Sequence, residues 1–216
     1  MQASAAALWL NSFFAVFDQT VSSAVHGLFD LAGGFFTPFF EFISLLGKGG
    51  VVLSIIAITL MYFKKTRRLG FAMGLGMIFG LLITNCCLKI FVARPRPYTD
   101  GTFFWSMWHE LGEHTEADLS FPSGHTTAAF ASMFPVFLLC DKRKSWMAFI
   151  FSLLMGTARI YLVVHYPSDV LGGAITGSLT GILGTYVSGK IPRSIYEAEA
   201  RDLLSLLKGR HKKTKV

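Results

Sequence analysis

The sequence predicts an all-α protein: a polytopic membrane helical bundle of five to six transmembrane helices with an N-terminal interfacial helix. Three observations point there. Of 216 residues, 52% are hydrophobic and only 15% charged, with a mean hydropathy of +0.51, whereas a soluble domain carries about a quarter charged residues. The apolar residues fall in long blocks, several near the roughly 20 residues that cross a bilayer as helix. Most of the positive charge is gathered into three clusters: Lys64, Lys65, Arg67 and Arg68, then Lys142, Arg143 and Lys144, then Lys190, Arg193, Arg201, Lys208, Arg210, Lys212, Lys213 and Lys215. The positive-inside rule puts all three in the cytoplasm. A multi-pass protein of the cell (plasma or inner) membrane with a cytoplasmic C-terminus follows. No nucleic-acid partner is expected, and the sequence leaves the oligomeric state open.

Residues 1–47, the first predicted unit, contain no lysine or arginine. Leu8, Phe13, Phe14, Phe17, Val21, Val25 and Leu28 recur at roughly helical spacing, with Asn11, Asp18, Gln19 and Ser22 between them, the pattern of an amphipathic helix lying in the interface. Phe35–Leu46 contains Pro38 and Glu41, which leaves a first span within 26–46 open. The membrane core is expected over 48–190. Gly47–Gly50 is a break, Val51–Phe63 descends to the first basic cluster, and Leu69–Val92 returns, its Gly70, Gly74, Gly76 and Gly80 admitting a close neighbour. Arg94–Phe121 is a polar loop on the far side. Its acidic residues, Asp100, Glu110, Glu113, Glu116 and Asp118, are expected to be solvated, with Glu110, Glu113 and Glu116 placed to shape entry for a charged headgroup. Phe103, Phe104, Trp105 and Trp108 suit an aromatic belt. Pro122–Cys140 descends, Ser145–Ala158 rises and Pro167–Val187 descends again. The last unit, 191–216, reads as a basic amphipathic tail attracted to anionic lipid. Cys86, Cys87 and Cys140 have no ligand spacing and read as small core residues. No secretory signal is evident, since no basic region precedes the first apolar stretch.

Lys89, Arg94, Arg96 and Arg159 fall near segments that this topology places outside the cytoplasm, so they require a reason. Lys89 and Arg96 are two helical turns apart and start on one face before Pro95 and Pro97 break the helix. Pro122 suits a first helical turn, after which Ser123 and Gly124 offer a hydroxyl and open N–H groups at a positive helix end, with His125 next. In Arg159–Asp169, His165 and Asp169 are four apart. The carboxylate can then hold one imidazole nitrogen and leave the other as a nucleophile. Collected on the extracytoplasmic face, Lys89, Arg96, Ser123, Gly124 and Arg159 would grip a phosphate group. His165, oriented by Asp169, would attack phosphorus and form a phosphohistidine. His125 would protonate the leaving alkoxide and then deprotonate the hydrolytic water. No metal or other cofactor is expected, because the cations already neutralise phosphate and Asp169 is the lone carboxylate of the three segments.

Lys-x6-Arg-Pro, Pro-Ser-Gly-His and Arg-x5-His-x3-Asp, in that order over about Gly47 to Val187, resemble the type 2 phosphatidic acid phosphatase superfamily. The resemblance implies the same assignments: Lys89, Arg96, Ser123, Gly124 and Arg159 on phosphate, His165 as nucleophile, His125 as general acid and Asp169 as partner of His165. Two departures stand out. Ala158 occupies a place where the family usually has serine, and the N-terminal quarter lacks a clear first helix.

Each piece also has a plain structural reading. Lys89 can snorkel from a helix end, Arg94 and Arg96 can anchor at the interface, and Arg94 is left with that role. Pro122–His125 can be a simple helix start, Arg159 can satisfy terminal carbonyls, and His165–Asp169 can cap a helix. The leading function is a metal-independent phosphatase of a membrane lipid, with a polyprenyl diphosphate favoured and phosphatidic acid or phosphatidylglycerophosphate next. The rivals are a vanadate-dependent haloperoxidase-like enzyme and a non-catalytic lipid-phosphate binding or transport protein.

Overall fold

A computed structural model describes residues 3–99 and 101–198 of the chain. The regular elements among them are all helical: α1 (Ala5–Phe13), α2 (Ala15–Ala32), α3 (Thr37–Gly47), α4 (Val51–Tyr62), α5 (Arg67–Leu81), a π-helical stretch (Leu82–Leu88) running into α6 (Lys89–Val92), α7 (Trp105–Glu110), α8 (Gly124–Leu139), α9 (Lys142–Ser145), α10 (Ala148–Tyr161), α11 (Pro167–Ser188) and α12 (Arg193–Glu197). Three stretches are long and apolar enough to cross a membrane: Thr37–Tyr62 and Arg67–Val92, of 26 residues each, and Pro167–Ser188, of 22, with α8 apolar but shorter. The first of these begins at Thr37 and includes α4. It bends at Gly49 and Gly50, whose φ of +60° and +66° lie in the left-handed region that glycine enters without steric strain.

α11 lies at the centre, packed along α5 and α8. Small residues make this approach possible, since lipid-exposed helices associate by close packing rather than by hydrophobic transfer. A Cβ on Gly184 would stand 2.5 Å from the Gly76 nitrogen, and one on Gly177 would stand 2.5 Å from the Thr127 carbonyl oxygen. The main apolar cluster, with Phe40, Ile43, Met155, Ala158, Tyr161 and Val164, joins α3 and α10 to the loop that follows α10.

The N-terminal pattern resolves into two helices, α1 capped by Ser4 and α2 beginning after a break at Phe14. The amphipathic face of α2 points the opposite way from a helix on a soluble protein, while α1 turns the apolar Ala7 and Leu10 inward. Asp18, Ser22 and His26 are buried, whereas Val16 is 78% and Leu31 89% exposed. The inward face finds hydrogen-bond partners and the outward one suits acyl chains.

Arg67, counted above as one of a cytoplasmic cluster, is fully buried. It donates to the carbonyls of Met61, Tyr62, Ile195, Tyr196 and Ala198 at 2.8–3.1 Å, tying the end of α4 to α12. The remainder of the expected basic tail, 199–216, lies outside the described residues.

Candidate active site

Three chain segments build the site. In the first, Ala93 adopts a left-handed φ of 47° and ends α6, and Pro95 and Pro97 then keep the chain extended. This turns Lys89 and Arg96 onto a common partner, Asp118. Lys89 and Arg96 both pair with its carboxylate, and Arg96 Nε also donates to its backbone oxygen at 2.9 Å. In the second segment, Ser123 caps α8, its hydroxyl accepting from the Thr126 amide at 3.4 Å and the Thr126 hydroxyl at 3.0 Å. Gly124 and His125 open the helix. A Cβ on Gly124 would lie 3.8 Å from Lys89 Nζ, and one on Gly47 would lie 2.8 Å from the His125 ring, so α3 reaches the site through a residue with no side chain. In the third, the chain after α10 folds back so that the Val164 and His165 amides both donate to the Arg159 carbonyl, at 3.2 and 3.3 Å.

His165 is buried, and Arg96 Nη1 stands 2.9 Å from its Nε2 and 2.6 Å from the Val164 carbonyl oxygen. An arginine can only donate, so Nε2 is the unprotonated nitrogen and the ring proton sits on Nδ1, facing Asp169 Oδ2 at 3.5 Å. That separation is longer than a normal hydrogen bond, and Nδ1 has no other partner among the described residues. Burial, followed by the charges of Arg96 and Arg159, holds the His165 imidazole well below its ordinary pKa. The ring is therefore neutral, with a lone pair on Nε2.

Lys89, Arg96, Gly124, His125 and His165 line one cavity of about 580 Å³, together with Glu116 and Asp118. Arg159 stands behind Glu116, donating to that carboxylate and to Ser44. Asp169 is fully buried behind His165, and Ser123 is buried and does not line the cavity.

Several residues were not legible beforehand. Asp118 and Glu116, expected to be solvated, engage all three cations. Glu110 and Glu113 pair instead with His26 and His109. Arg94 is not an interface anchor: it is buried and bound to Asn11, Asp18, Ser168 and Asp169. One signal did exist. Asp18 sits on an apolar helix within 47 residues that contain no lysine or arginine, so its cation had to come from a distant segment. Among the described residues, His26, Asp30 and Glu110 bring possible metal-ligand atoms within 4.8 Å of one another, and none of them is a predicted site residue.

Two imidazoles, a guanidinium and an ammonium line one cavity, in a chain whose described elements are all helical and include candidate membrane spans. Residues 65–193 match the PAP2 superfamily model, and the chain belongs to that superfamily. It is 32% identical over 163 residues to the undecaprenyl-diphosphatase BcrC of Bacillus subtilis, covering 76% of this chain and 80% of that one. It is also 32% identical over 166 residues to phosphatidylglycerophosphatase B of the same organism, covering 70% and 74%. The crystal structure of a transmembrane PAP2-type phosphatidylglycerolphosphate phosphatase from Bacillus subtilis superposes with a TM-score of 0.60 at 25% identity, covering 87% of this chain and 98% of that one.

Proposed function

We propose that this protein is a metal-independent membrane lipid phosphatase acting through a phosphohistidine intermediate. The observation that carries the proposal is the two-part character of one cavity. At one end stand Lys89, Arg96, His125 and His165, and its wall continues through Ala57, Ile58, Met61, Met77, Ile78 and Leu81 between α4 and α5. A phosphate group fits the first part and a hydrocarbon chain the second.

His165 Nε2 attacks phosphorus, the P–O bond to the lipid breaks, and His125 gives its proton to the departing oxygen. Lys89, Arg96 and Arg159 take the charge that develops on the phosphoryl oxygens. Ser123 shapes the start of α8, where Gly124 offers its backbone. Water then attacks the phosphohistidine with His125 as base, returning both imidazoles to their starting states. Asp169 faces the proton-bearing edge of the His165 ring at 3.5 Å and offsets the positive charge the ring takes on when Nε2 bonds to phosphorus. The carboxylates that reach the cavity, Asp118 and Glu116, are paired with these cations, which leaves them poorly placed to cage a divalent ion.

A polyprenyl diphosphate is the favoured substrate, supported by the likeness to an undecaprenyl-diphosphatase, with phosphatidylglycerophosphate or phosphatidic acid next. The basic clusters support five to six spans with the cavity's charged end outside the cytoplasm, the units dividing at 47 and 190. Phosphate release from these lipids in detergent with excess chelator tests the reading. Activity should persist with chelator and vanish in His165→Ala. Full dependence on added magnesium, or an unimpaired His165→Ala variant, would overturn it.

A further inference from the structure

We propose that Asp18 on α2 and Arg94 after α6 are positioning residues for the nucleophile, holding Asp169, and through it His165, from a helix that turns its apolar face outward. The inference rests on the reading of His165 as nucleophile with Asp169 behind it.

Arg94 is buried and distributes its donors over four partners. Nη1 donates to Asp169 Oδ1 at 2.6 Å and to the Ser168 hydroxyl at 2.7 Å, Nη2 to Asp18 Oδ2 at 2.9 Å, and Nε to Asn11 Oδ1 at 2.8 Å. Its guanidinium carbon lies 3.8 Å from the centre of the Tyr166 ring. Asp18, only 2% exposed, accepts from the Ser168 amide and hydroxyl, both at 2.8 Å. The remaining Asp169 oxygen accepts from the Tyr166 amide at 3.0 Å and from Ser120. Both oxygens of Asp169 are thus held, and the Oδ2 edge is the one 3.5 Å from His165 Nδ1.

Two buried carboxylates share one guanidinium. If Asp18 is neutralised, Arg94 can recentre on Asp169 and pull its carboxylate away from the imidazole. If Arg94 is lost, Asp169 has no cation among these contacts. Neither Asp18 nor Arg94 lines the cavity that contains Lys89, Arg96 and His125, so loosening the clamp misaligns the ring without disturbing the grip on phosphate. A nucleophile displaced by about 1 Å loses on the order of 100-fold in rate.

The test uses the full chain purified in detergent, with phosphatidylglycerophosphate and a polyprenyl diphosphate as substrates and orthovanadate to count competent sites. Asp18→Asn and Arg94→Lys should each lower kcat per vanadate-binding site by about 10- to 100-fold, with KM within about twofold of wild type and the vanadate inhibition constant rising in step with the loss of kcat, because vanadate mimics the transition state by bonding to the nucleophile. A purely structural role would instead reduce the number of vanadate-binding sites and leave the rate per site unchanged. Asn11→Ala, which removes only the partner of Arg94 Nε, should show the same pattern at several-fold and keeps the question open to experiment if the stronger variants fail to fold. Wild-type kcat per site in these variants, or losses confined to KM, would overturn the clamp. An active His165→Ala would instead overturn the reading on which it rests.

Discussion

Replacing Asp118 by asparagine should make the enzyme bind phosphate analogues more tightly. The Asp118 carboxylate pairs with Lys89 and Arg96, two of the three cations assigned to phosphate, so ligand and side chain compete for the same donors. Hydrogen bonds to charged groups contribute about 1.5–3 kcal/mol each. Asp118 is 52% exposed on its side chain, so solvent screening cuts this sharply, and asparagine keeps one acceptor. A net relief of about 1–2 kcal/mol remains, a factor of roughly 5–30 in affinity. Burial by itself would raise the Asp118 pKa, but Lys89 and Arg96 outweigh it and hold the carboxyl below its ordinary 3.8. The competition is therefore lost only as pH falls through that lowered value, and the gain in Asp118→Asn should be flat between about pH 5 and 9. Orthovanadate inhibition of lipid phosphate hydrolysis, measured across that range, reads the effect directly. Weaker inhibition in Asp118→Asn would mean that the carboxylate arranges the cations for phosphate instead of competing with it, refuting this account.

Three further outcomes follow from the same contacts. Gly47→Ala places a Cβ 2.8 Å from the His125 ring and 2.7 Å from the Met155 side chain; the methionine can yield, so kcat should fall about tenfold or more through displacement of the general acid while thermal stability in detergent changes little. Arg67→Met takes the buried guanidinium donor away from five carbonyl oxygens and should lower stability by on the order of 3 kcal/mol, seen as a depressed thermal midpoint. Burial first, then Arg96 and Arg159, keep His165 neutral in the folded protein, whereas the unfolded chain takes up its proton near pH 6.5. The stability this contributes is complete above about pH 6.5 and declines as pH falls toward the lowered folded value. The wild-type thermal midpoint should therefore drop more between about pH 7.5 and 5 than that of His165→Gln; equal drops would show that His165 does not carry the dependence.

Much of the architecture was readable from hydropathy and charge placement, since the cost of putting a residue into hydrocarbon depends on that residue and its neighbours in sequence. The break at Gly47–Gly50, the run from Leu69 to Val92 and the helix after Pro167 were readable for that reason. The convergence of Lys89, Arg96, Gly124, His125 and His165 was readable because motif order and the alternation of spans bring those ends together. The direction in which α2 faces was not. An amphipathic pattern states that two faces differ, and water and lipid draw opposite faces outward.

Length, composition and the spacing of charged residues were enough to specify a helical membrane chain with histidines and cations at the ends of its apolar runs, because each of those properties is local. The partners of those side chains were not local. Asp118 on Lys89 and Arg96, Glu116 on Arg159, and Asp18 reaching across to Arg94 and Ser168 join segments far apart in the chain. Which carboxylate neutralises which buried cation depends on how the helices pack, since an ion pair forms between whatever charges that packing brings within reach.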